Sequence, residues 1–432
     1  MCPVQSVTYV SSRSTRIWRF PILVTAAPHS NQSRPSLVAR PCILLSVAIF
    51  GVIGMQLEDR GPDAGMTARL LVLAIGEAHQ LFHVLGPALH LHRMGIQVNC
   101  MVSTHWHEQI VWSHAPELGP GIIRSPVMFK NQPLHKCPPR LLNLLFGLHA
   151  VLDCDAILTP ERTSTILRRV LGKRCPKLIH IPHGAGDRAK SYDSRIGMFD
   201  LVLVAGTKDR DMLVHRGIVS GETCHVVGYC KFDLLPADVP DYFDNELPTV
   251  LYNPHFDDRL SSWPVFGEAI IKAFSRNAGM NLICAPHVRM RGRSRQLFDR
   301  LASRYASANL RFDGGSLDSI NMNYTRYADI YLGDVSSQVY EFLRVPKPCV
   351  FANAHQVDWQ ADEHYRHWHY GEVANSAEEV MARVASAIDD HRDYAQVQTR
   401  GFGSAIEETA SCPPQSAASS IHDFLSRELH KG

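Results

Sequence analysis

The chain has 432 residues, a formal net charge of +2 and 45% hydrophobic residues. That length suggests two or three domains with ample apolar material for their cores. Lys plus Arg total 44 and Asp plus Glu total 42, so no global basic field or nucleic-acid-binding motif points to nucleic acid as a partner. The 11 cysteines show no CxxC pair or other metal-binding spacing, which favours reduced thiols in a cytoplasmic protein.

The first 65 residues differ from the rest of the chain. They carry no acidic residue up to Gln56, and residues 42–55 (CILLSVAIFGVIGM) form an uncharged apolar run. A membrane-spanning helix needs ~20 apolar residues, so this run is short for one. Residues 1–65 are therefore interpreted as an N-terminal extension that is a signal-peptide core, a membrane anchor or the product of a start site placed upstream of Met66.

From Met66 onward, short apolar runs alternate with helical segments, the pattern of βαβ units around parallel sheets. In the first half, the sequence predicts helices at 76–95, at about 161–171 and from Thr207, and strands at 69–75, 96–103, 155–160, 176–184, 200–206 and 225–228. In the second half, it predicts helices at about 264–278, 293–306, 376–390 and 416–430, and strands at 248–255, 280–287, 310–313, 328–334 and 348–353.

A Pro- and Asp-rich stretch without periodicity, residues 229–247, separates the two halves and predicts a linker. The chain is therefore expected to be α/β, with one Rossmann-like domain at 66–235 and a second at 246–432. Ligands of such parallel sheets bind at the carboxyl ends of the strands. Residues that directly follow strands are therefore the candidates for chemistry.

The segment IPHGAGDRAKSY (181–192) follows a predicted strand of the first half. His183 stands at the strand end and is a candidate general base, because histidine titrates near pH ~6.5. Gly184 allows close backbone approach, and Arg188 and Lys190 follow within reach of a bound anion. The alternative is a structural loop histidine that hydrogen-bonds the turn.

In the second half, His287 follows the strand 280–287, and Arg289 and Arg291 come directly after it. Basic residues beside a strand-end histidine suit a phosphate dianion, although a solvated helix start also has this composition. Asn253 and His255 follow the strand 248–255 in the same way. His255 is interpreted as structural, and so is the irregular run HYRHWHYGEV (364–373), which is expected to be a packed loop.

The segment GDVSSQVYEF (333–342) passes from a predicted strand into a predicted helix. Backbone N–H groups at such a turn bind phosphate well. Ser336 and Ser337 can cap the helix and also donate to a phosphate oxygen. Glu341 lies one turn further on, where it could reach a ribose hydroxyl. The alternative is ordinary helix capping by serine.

Together these residues resemble the CDP-glycerol glycerophosphotransferases, GT-B-fold enzymes of teichoic-acid-type polymer synthesis, over roughly residues 176–400. The resemblance rests on His183-Gly184, on the strand-end His287, and on Asp334 with Ser336 and Ser337. The match departs from the family pattern at several positions: Val335 stands where the family usually has Tyr, Arg188 where it usually has Lys, His255 where it usually has Thr, and Val288 rather than Pro follows His287.

The resemblance implies a GT-B fold in which 66–235 is the acceptor domain and 246–432 is the nucleotide-binding domain. It also implies attack of an acceptor hydroxyl on the β-phosphate of a CDP-activated alcohol, with CMP leaving. His183 would be the base, and His287 would stabilise the developing charge together with Arg289 and Arg291. Glu341 would bind the ribose, and the remaining substrate contacts would come from Gly184, Arg188, Lys190, Asn253, Asp334, Ser336 and Ser337. It also implies no tightly bound cofactor or metal, a polymer or lipid-linked acceptor, and a cytoplasmic enzyme peripheral to the inner membrane face.

Two alternatives stay open. One is another GT-B enzyme, either a nucleotide-sugar glycosyltransferase or a relative of the UDP-N-acetylglucosamine 2-epimerases. Those epimerases carry a Ser-Gly-Gly then Glu-Glu pattern where this chain has VSSQVYEF (335–342). The other is a catalytically inactive nucleotide-binding scaffold. The released nucleotide distinguishes the two kinds of transferase, because CMP indicates glycerophosphate transfer and UDP indicates sugar transfer.

Overall fold

The computed structural model describes residues 6–9, 18–21, 68–187, 192–277, 279–408 and 412–429. Met1–Asp59 and Arg60–Gly432 are separate units. In the first, β1 (Ser6–Tyr9) pairs antiparallel with β2 (Trp18–Pro21). The apolar run 42–55 and Met66 lie outside the described residues. Within the described ranges, no helix has the length and apolar character needed to cross a bilayer.

The larger unit begins with a lobe built on a parallel sheet, in which seven strands are described, in the order β5-β4-β3-β6-β7-β8-β9. Strands such as RLLVLA are apolar at nearly every position because helices cover both faces of a parallel sheet. The strands are β3 (Arg69–Ala74), β4 (Gln97–Thr104), β5 (Ile122–Phe129), β6 (Ala156–Thr159), β7 (Lys177–His180), β8 (Leu201–Val204) and β9 (Cys224–Val226).

Helices and short 3-10 helices connect the strands of this first lobe. The α-helices are α1 (Phe82–Arg93), α2 (His105–His114), α3 (Arg140–Phe146), α4 (Leu148–Leu152), α5 (Ile166–Leu171) and α6 (Thr207–His215). The 3-10 helices are Ala78–Leu81, Pro116–Gly121, Arg162–Thr165, Gly172–Arg174, Ser194–Met198 and Cys230–Leu234.

The second lobe has its own parallel sheet, whose six described strands run in the order β12-β11-β10-β13-β14-β15. They are β10 (Thr249–Asn253), β11 (Asn281–Cys284), β12 (Leu310–Phe312), β13 (Ile330–Gly333), β14 (Cys349–Ala352) and β15 (Glu372–Ala374). The helices are α7 (Trp263–Phe274), α8 (Gly292–Tyr305), α9 (Asn323–Tyr327), α10 (Gln338–Phe342), α11 (Ala377–Asp390), α12 (Ala395–Ala405) and α13 (Pro413–Leu429), with 3-10 helices Glu363–Tyr370 and His391–Asp393.

The two parallel sheets confirm the predicted α/β architecture of two Rossmann-like domains. The last helix departs from the predicted division of the chain, which assigned residues 246–432 to the second domain. Helix α13 packs on α1, and Ala417, Ala418, Ile421 and Leu425 are buried in the core of the first lobe. Apolar periodicity predicts that this helix has a buried face but does not say which core that face covers.

Candidate active site

Two adjoining cavities lie between the lobes, at the carboxyl ends of strands from both sheets. Their cavity volumes are about 90 Å³ and about 340 Å³. Both are lined by His183, Gly184, Phe256, Arg289 and Ser337, which is where they meet. Parallel sheets bind their ligands at this edge, and residues from both halves of the sequence contribute to the same space.

His183, the candidate base, lies where the two cavities meet. The residue is exposed, and Nε2 of Gln80 lies 3.2 Å from its Nε2 and 3.4 Å from its Nδ1. Desolvation by the surrounding protein, followed by the charge of Arg162, lowers the pKa of His183 to about 4. The ring is therefore neutral near pH 7, as a general base must be.

The loop after His183 contacts the second lobe directly. Gly184 has φ of +118°, and a Cβ placed on it would lie 3.1 Å from Oγ of Ser337. A Cβ on Gly186 would lie 2.9 Å from Cβ of the same serine. Glycine permits both this conformation and this approach. The base-bearing loop therefore sits against the serine that was predicted to hold phosphate.

His287 and Arg289 line the first cavity from the second lobe. The backbone N–H of Arg289 donates to Nδ1 of His287 over 3.2 Å, so in the neutral ring the proton is on Nε2. The guanidinium of Arg289 stacks over Phe256 at 4.4 Å, and its Nε lies 3.5 Å from Oε1 of Glu77 in the first lobe. A histidine N–H and a guanidinium can both donate to phosphate oxygens.

Three predicted substrate contacts face the protein instead of the cavities. The Asp334 carboxylate, 1% exposed, accepts hydrogen bonds from the backbone N–H groups of His255, Ser262 and Val335 over 2.7–2.9 Å. Oγ of Ser336 donates to Oδ1 of Asn253 over 3.1 Å. These side chains hold the turn between β13 and α10, and of the serine pair only Ser337 lines the cleft. Because α10 is five residues long, its dipole is small.

Glu341 lines the first cavity within a buried polar cluster that spans the lobes. Its Oε1 lies 2.6 Å from Nζ of Lys231 and accepts a hydrogen bond of 2.8 Å from Oη of Tyr229. Its Oε2 is buried and has no hydrogen-bond partner among the described residues. A buried carboxylate oxygen normally has a donor, so this atom suits a ligand hydroxyl. Burial and the charge of Lys231 hold the pKa of the neighbouring His83 well below its usual value.

The second cavity contains two buried carboxylates that the sequence analysis missed, Glu77 and Glu161. Nη2 of Arg140 lies 3.4 Å from Oε1 of Glu77 and 3.0 Å from Oε1 of Glu161. Nε2 of Gln80 also donates to Oε2 of Glu77 over 3.2 Å. Burial raises the pKa of Glu161. These groups extend the polar surface from His183 into the first lobe, on the side predicted to bind the acceptor.

The remaining predicted residues lie elsewhere. Arg291 lines a separate open groove together with Lys136 and Arg295, outside both cavities. Arg188 and Lys190 lie outside the described residues. His255 is 1% exposed and its Nδ1 accepts from the backbone N–H of Asp257 over 3.0 Å, which confirms the structural interpretation.

No protein-family model matches the chain, and no curated protein matches it in sequence. Solved structures do match it in fold. S. aureus MnaA, in a structure with UDP, superposes with a TM-score of 0.56 at 14% identity over 84% of this chain and 97% of its own. A putative UDP-N-acetylglucosamine 2-epimerase from Listeria monocytogenes superposes with a TM-score of 0.57 at 12% identity, over 85% of this chain and 98% of its own. Arabidopsis thaliana UGT89C1, in a structure with UDP, superposes with a TM-score of 0.52 at 12% identity, over 83% of this chain and 100% of its own.

These similarities establish the class of the fold. Two parallel-sheet lobes facing across a cleft, superposed by these structures over 83–84% of this chain, define a GT-B architecture. Similarities of 12–14% identity concern the fold and not the activity.

Proposed function

We propose that the protein is a transferase that takes a group from a nucleoside-diphosphate-activated donor and gives it to an acceptor hydroxyl. One observation carries the proposal: His183 of the first lobe and Ser337, His287, Arg289 and Glu341 of the second lobe border a single cleft. A neutral base, phosphate donors and a carboxylate suited to a hydroxyl are the groups such a transfer needs.

In this proposal the second lobe binds the donor. Oε2 of Glu341 accepts a hydrogen bond from a ribose hydroxyl, while Lys231 and Tyr229 hold its Oε1. Ser337, Arg289 and Nε2–H of His287 donate to the diphosphate oxygens and stabilise the charge that develops on the leaving nucleotide. Asn253, Asp334 and Ser336 support this surface from behind.

The acceptor enters from the first lobe, through the cavity of Glu77, Glu161 and Arg140. His183 takes the proton of the attacking hydroxyl as the new bond to the transferred group forms, and the bond to the leaving nucleotide breaks. The nucleotide departs with the bonding electron pair, and the guanidinium of Arg289 stabilises its negative charge. The acceptor is proposed to be a polymer or lipid-linked alcohol at the cytoplasmic face of the membrane.

Two donor classes are consistent with this site. The solved structures of the same fold contain UDP or UDP-GlcNAc, which supports a UDP-sugar donor and glycosyl transfer as the first candidate. The second candidate is a CDP-activated polyol phosphate, supported by the motif resemblance and by the contact of the His183 loop with Ser337, which brings the base close to the expected phosphate. The first releases UDP and the second CMP.

A thermal-unfolding screen of the full chain with UDP, CDP, UMP, CMP and GDP tests whether the cleft binds a nucleotide. A ligand that binds only the folded state at 100 times its Kd adds about 2.7 kcal/mol of stability. We expect UDP or CDP to raise the unfolding temperature and GDP to leave it unchanged. Equal responses to all five, or none to UDP and CDP, would contradict the proposed donor site.

A further inference from the structure

Asp187 lies at the end of the loop that begins with His183, and its carboxylate is buried between the lobes. The residue is 6% exposed. Nζ of Lys208, from α6 of the same lobe, lies 2.7 Å from Oδ1 and also donates to the carbonyl of Ala185 over 2.6 Å. The first lobe therefore holds this loop through one buried cation.

The second lobe holds the same carboxylate from the opposite side. Oη of Tyr340, in α10, lies 2.9 Å from Oδ1 and 2.8 Å from Oδ2 of Asp187. Nδ1 of His367 lies 3.1 Å from Oδ2 of Asp187, and its Nε2 lies 3.1 Å from the carbonyl oxygen of Asp334. The ring of His367 therefore bridges the Asp187 carboxylate and the turn that contains Asp334.

These four residues, which we call the interlobe cluster, are Asp187, Lys208, Tyr340 and His367. Burial opposes ionisation of Asp187, but the hydrogen bond from His367 and the charge of Lys208 outweigh it and hold the pKa of this carboxyl below its usual range. Hydrogen bonds to an ionised acceptor are about twice as strong as neutral ones. The cluster is therefore a strong polar contact between the His183 loop and the lobe that carries Ser337.

We propose that Asp187 is a positioning residue for the transfer reaction, fixing the separation between His183 and the donor phosphates beside Ser337. This inference rests on the proposed function. Residues 181–187 form no helix or strand, so no regular secondary structure fixes where His183 lies. Tyr340 stands three residues after Ser337, so the group that anchors the loop and the serine that faces the donor belong to one rigid segment.

The variant Tyr340→Phe tests this proposal, because it removes only the hydroxyl that ties α10 to Asp187. Tyr324→Phe is the matched control. Tyr324 is also buried, and its Oη donates to Oδ2 of Asp313 over 2.7 Å, entirely within the second lobe. Each substitution deletes one buried hydroxyl that donates to a carboxylate, so a general loss of stability affects both variants alike.

Two readouts separate positioning from stability. Ala185 and Asp187 are buried, so exchange of their amide hydrogens requires the loop to move. We expect this exchange to rise about tenfold in Tyr340→Phe, the size of effect that loss of a hydrogen bond to a charged group produces. We expect kcat to fall by about the same factor with the KM for donor unchanged. Tyr324→Phe is expected to match the wild type in both readouts.

Loop exchange in Tyr340→Phe that equals the wild-type rate would overturn the proposal, and so would faster exchange with an unchanged kcat. A wild-type protein that turns over no nucleotide donor would instead contradict the proposed function. In that case the exchange measurement still decides whether the interlobe cluster fixes the loop.

Discussion

Replacing His183 with alanine is expected to lower kcat by about 10²–10⁴, the usual contribution of a general base. The ring lies at the junction of the two cavities, and burial and neighbouring cations keep it neutral. Glu341, Ser337 and Arg289 are unchanged in this variant, so nucleotide affinity is expected to remain within about threefold of the wild-type value. Initial rates and calorimetric titration with the active nucleotide measure the two quantities.

His149→Ala is the control for this substitution, because His149 is an exposed histidine of the first lobe, outside both cavities. Its kcat is expected to equal that of the wild type. A His183→Ala variant that keeps full turnover would contradict the assignment of His183 as the general base. If Glu161→Gln then abolished turnover, the base would be the buried carboxylate in the second cavity.

Replacing Lys231 with methionine is expected to lower the free energy of unfolding by about 3–5 kcal/mol, the cost of leaving one member of a buried ion pair alone. The side chains of Lys231 and Glu341 are 3% and 6% exposed, and their charged atoms are 2.6 Å apart. With the ammonium gone, the Glu341 carboxylate keeps only the hydroxyl of Tyr229 as a donor. Urea unfolding without ligand measures the loss.

The double variant Lys231→Met, Glu341→Gln is expected to recover most of this stability, because it removes both charges from the interior. Lys177→Met is the surface control. Lys177 pairs with Glu428 at 2.5 Å, but its side chain is 38% exposed, so its loss is expected to cost about 0–1 kcal/mol. Equal effects of Lys231→Met and Lys177→Met would show that the buried pair does not hold the lobes together.

The α/β architecture followed from the sequence because buried parallel strands are apolar at nearly every position and are separated by helical periodicity. The prediction missed β5, whose residues IIRSPVMF include a proline, an arginine and a serine and are mostly partly exposed. It could not place α13 on the first lobe, since the direction of a buried face depends on the tertiary fold.

At the site, the rule that functional residues follow strands selected His183, His287, Arg289 and Ser337, and all four line one cleft; their roles stay predictions. The same rule applies to Glu77 after β3 and Glu161 after β6, which were missed because the phosphate chemistry predicted for the site requires histidine and basic residues, not carboxylates. Lys231 was missed for a different reason: it lies in a stretch interpreted as a linker. The one feature of the sequence that could have indicated a buried lysine is that Lys231 stands between two apolar residues, Cys230 and Phe232, both of which are buried.

Sequence could not separate residues that face a ligand from residues that hold the turn. Of the four consecutive residues 334–337, Ser337 lines the cleft while Asp334, Val335 and Ser336 are buried, and only the backbone geometry decides this. The contacts of Asp187 could not be predicted either, because its partners Tyr340 and His367 lie more than 150 residues away in the sequence.

The identity of the released nucleotide tests the central claim most directly. The wild type and His183→Ala would be incubated separately with UDP-N-acetylglucosamine, UDP-glucose and CDP-glycerol, with a bacterial membrane lipid extract as the source of acceptor hydroxyls, and the nucleotides would be separated by chromatography. We predict that the wild type releases UDP from a UDP-sugar or CMP from CDP-glycerol and that His183→Ala releases neither. No release above the His183→Ala level from any donor, or conversion of a UDP-sugar into its epimer without nucleotide release, would contradict the proposed transfer.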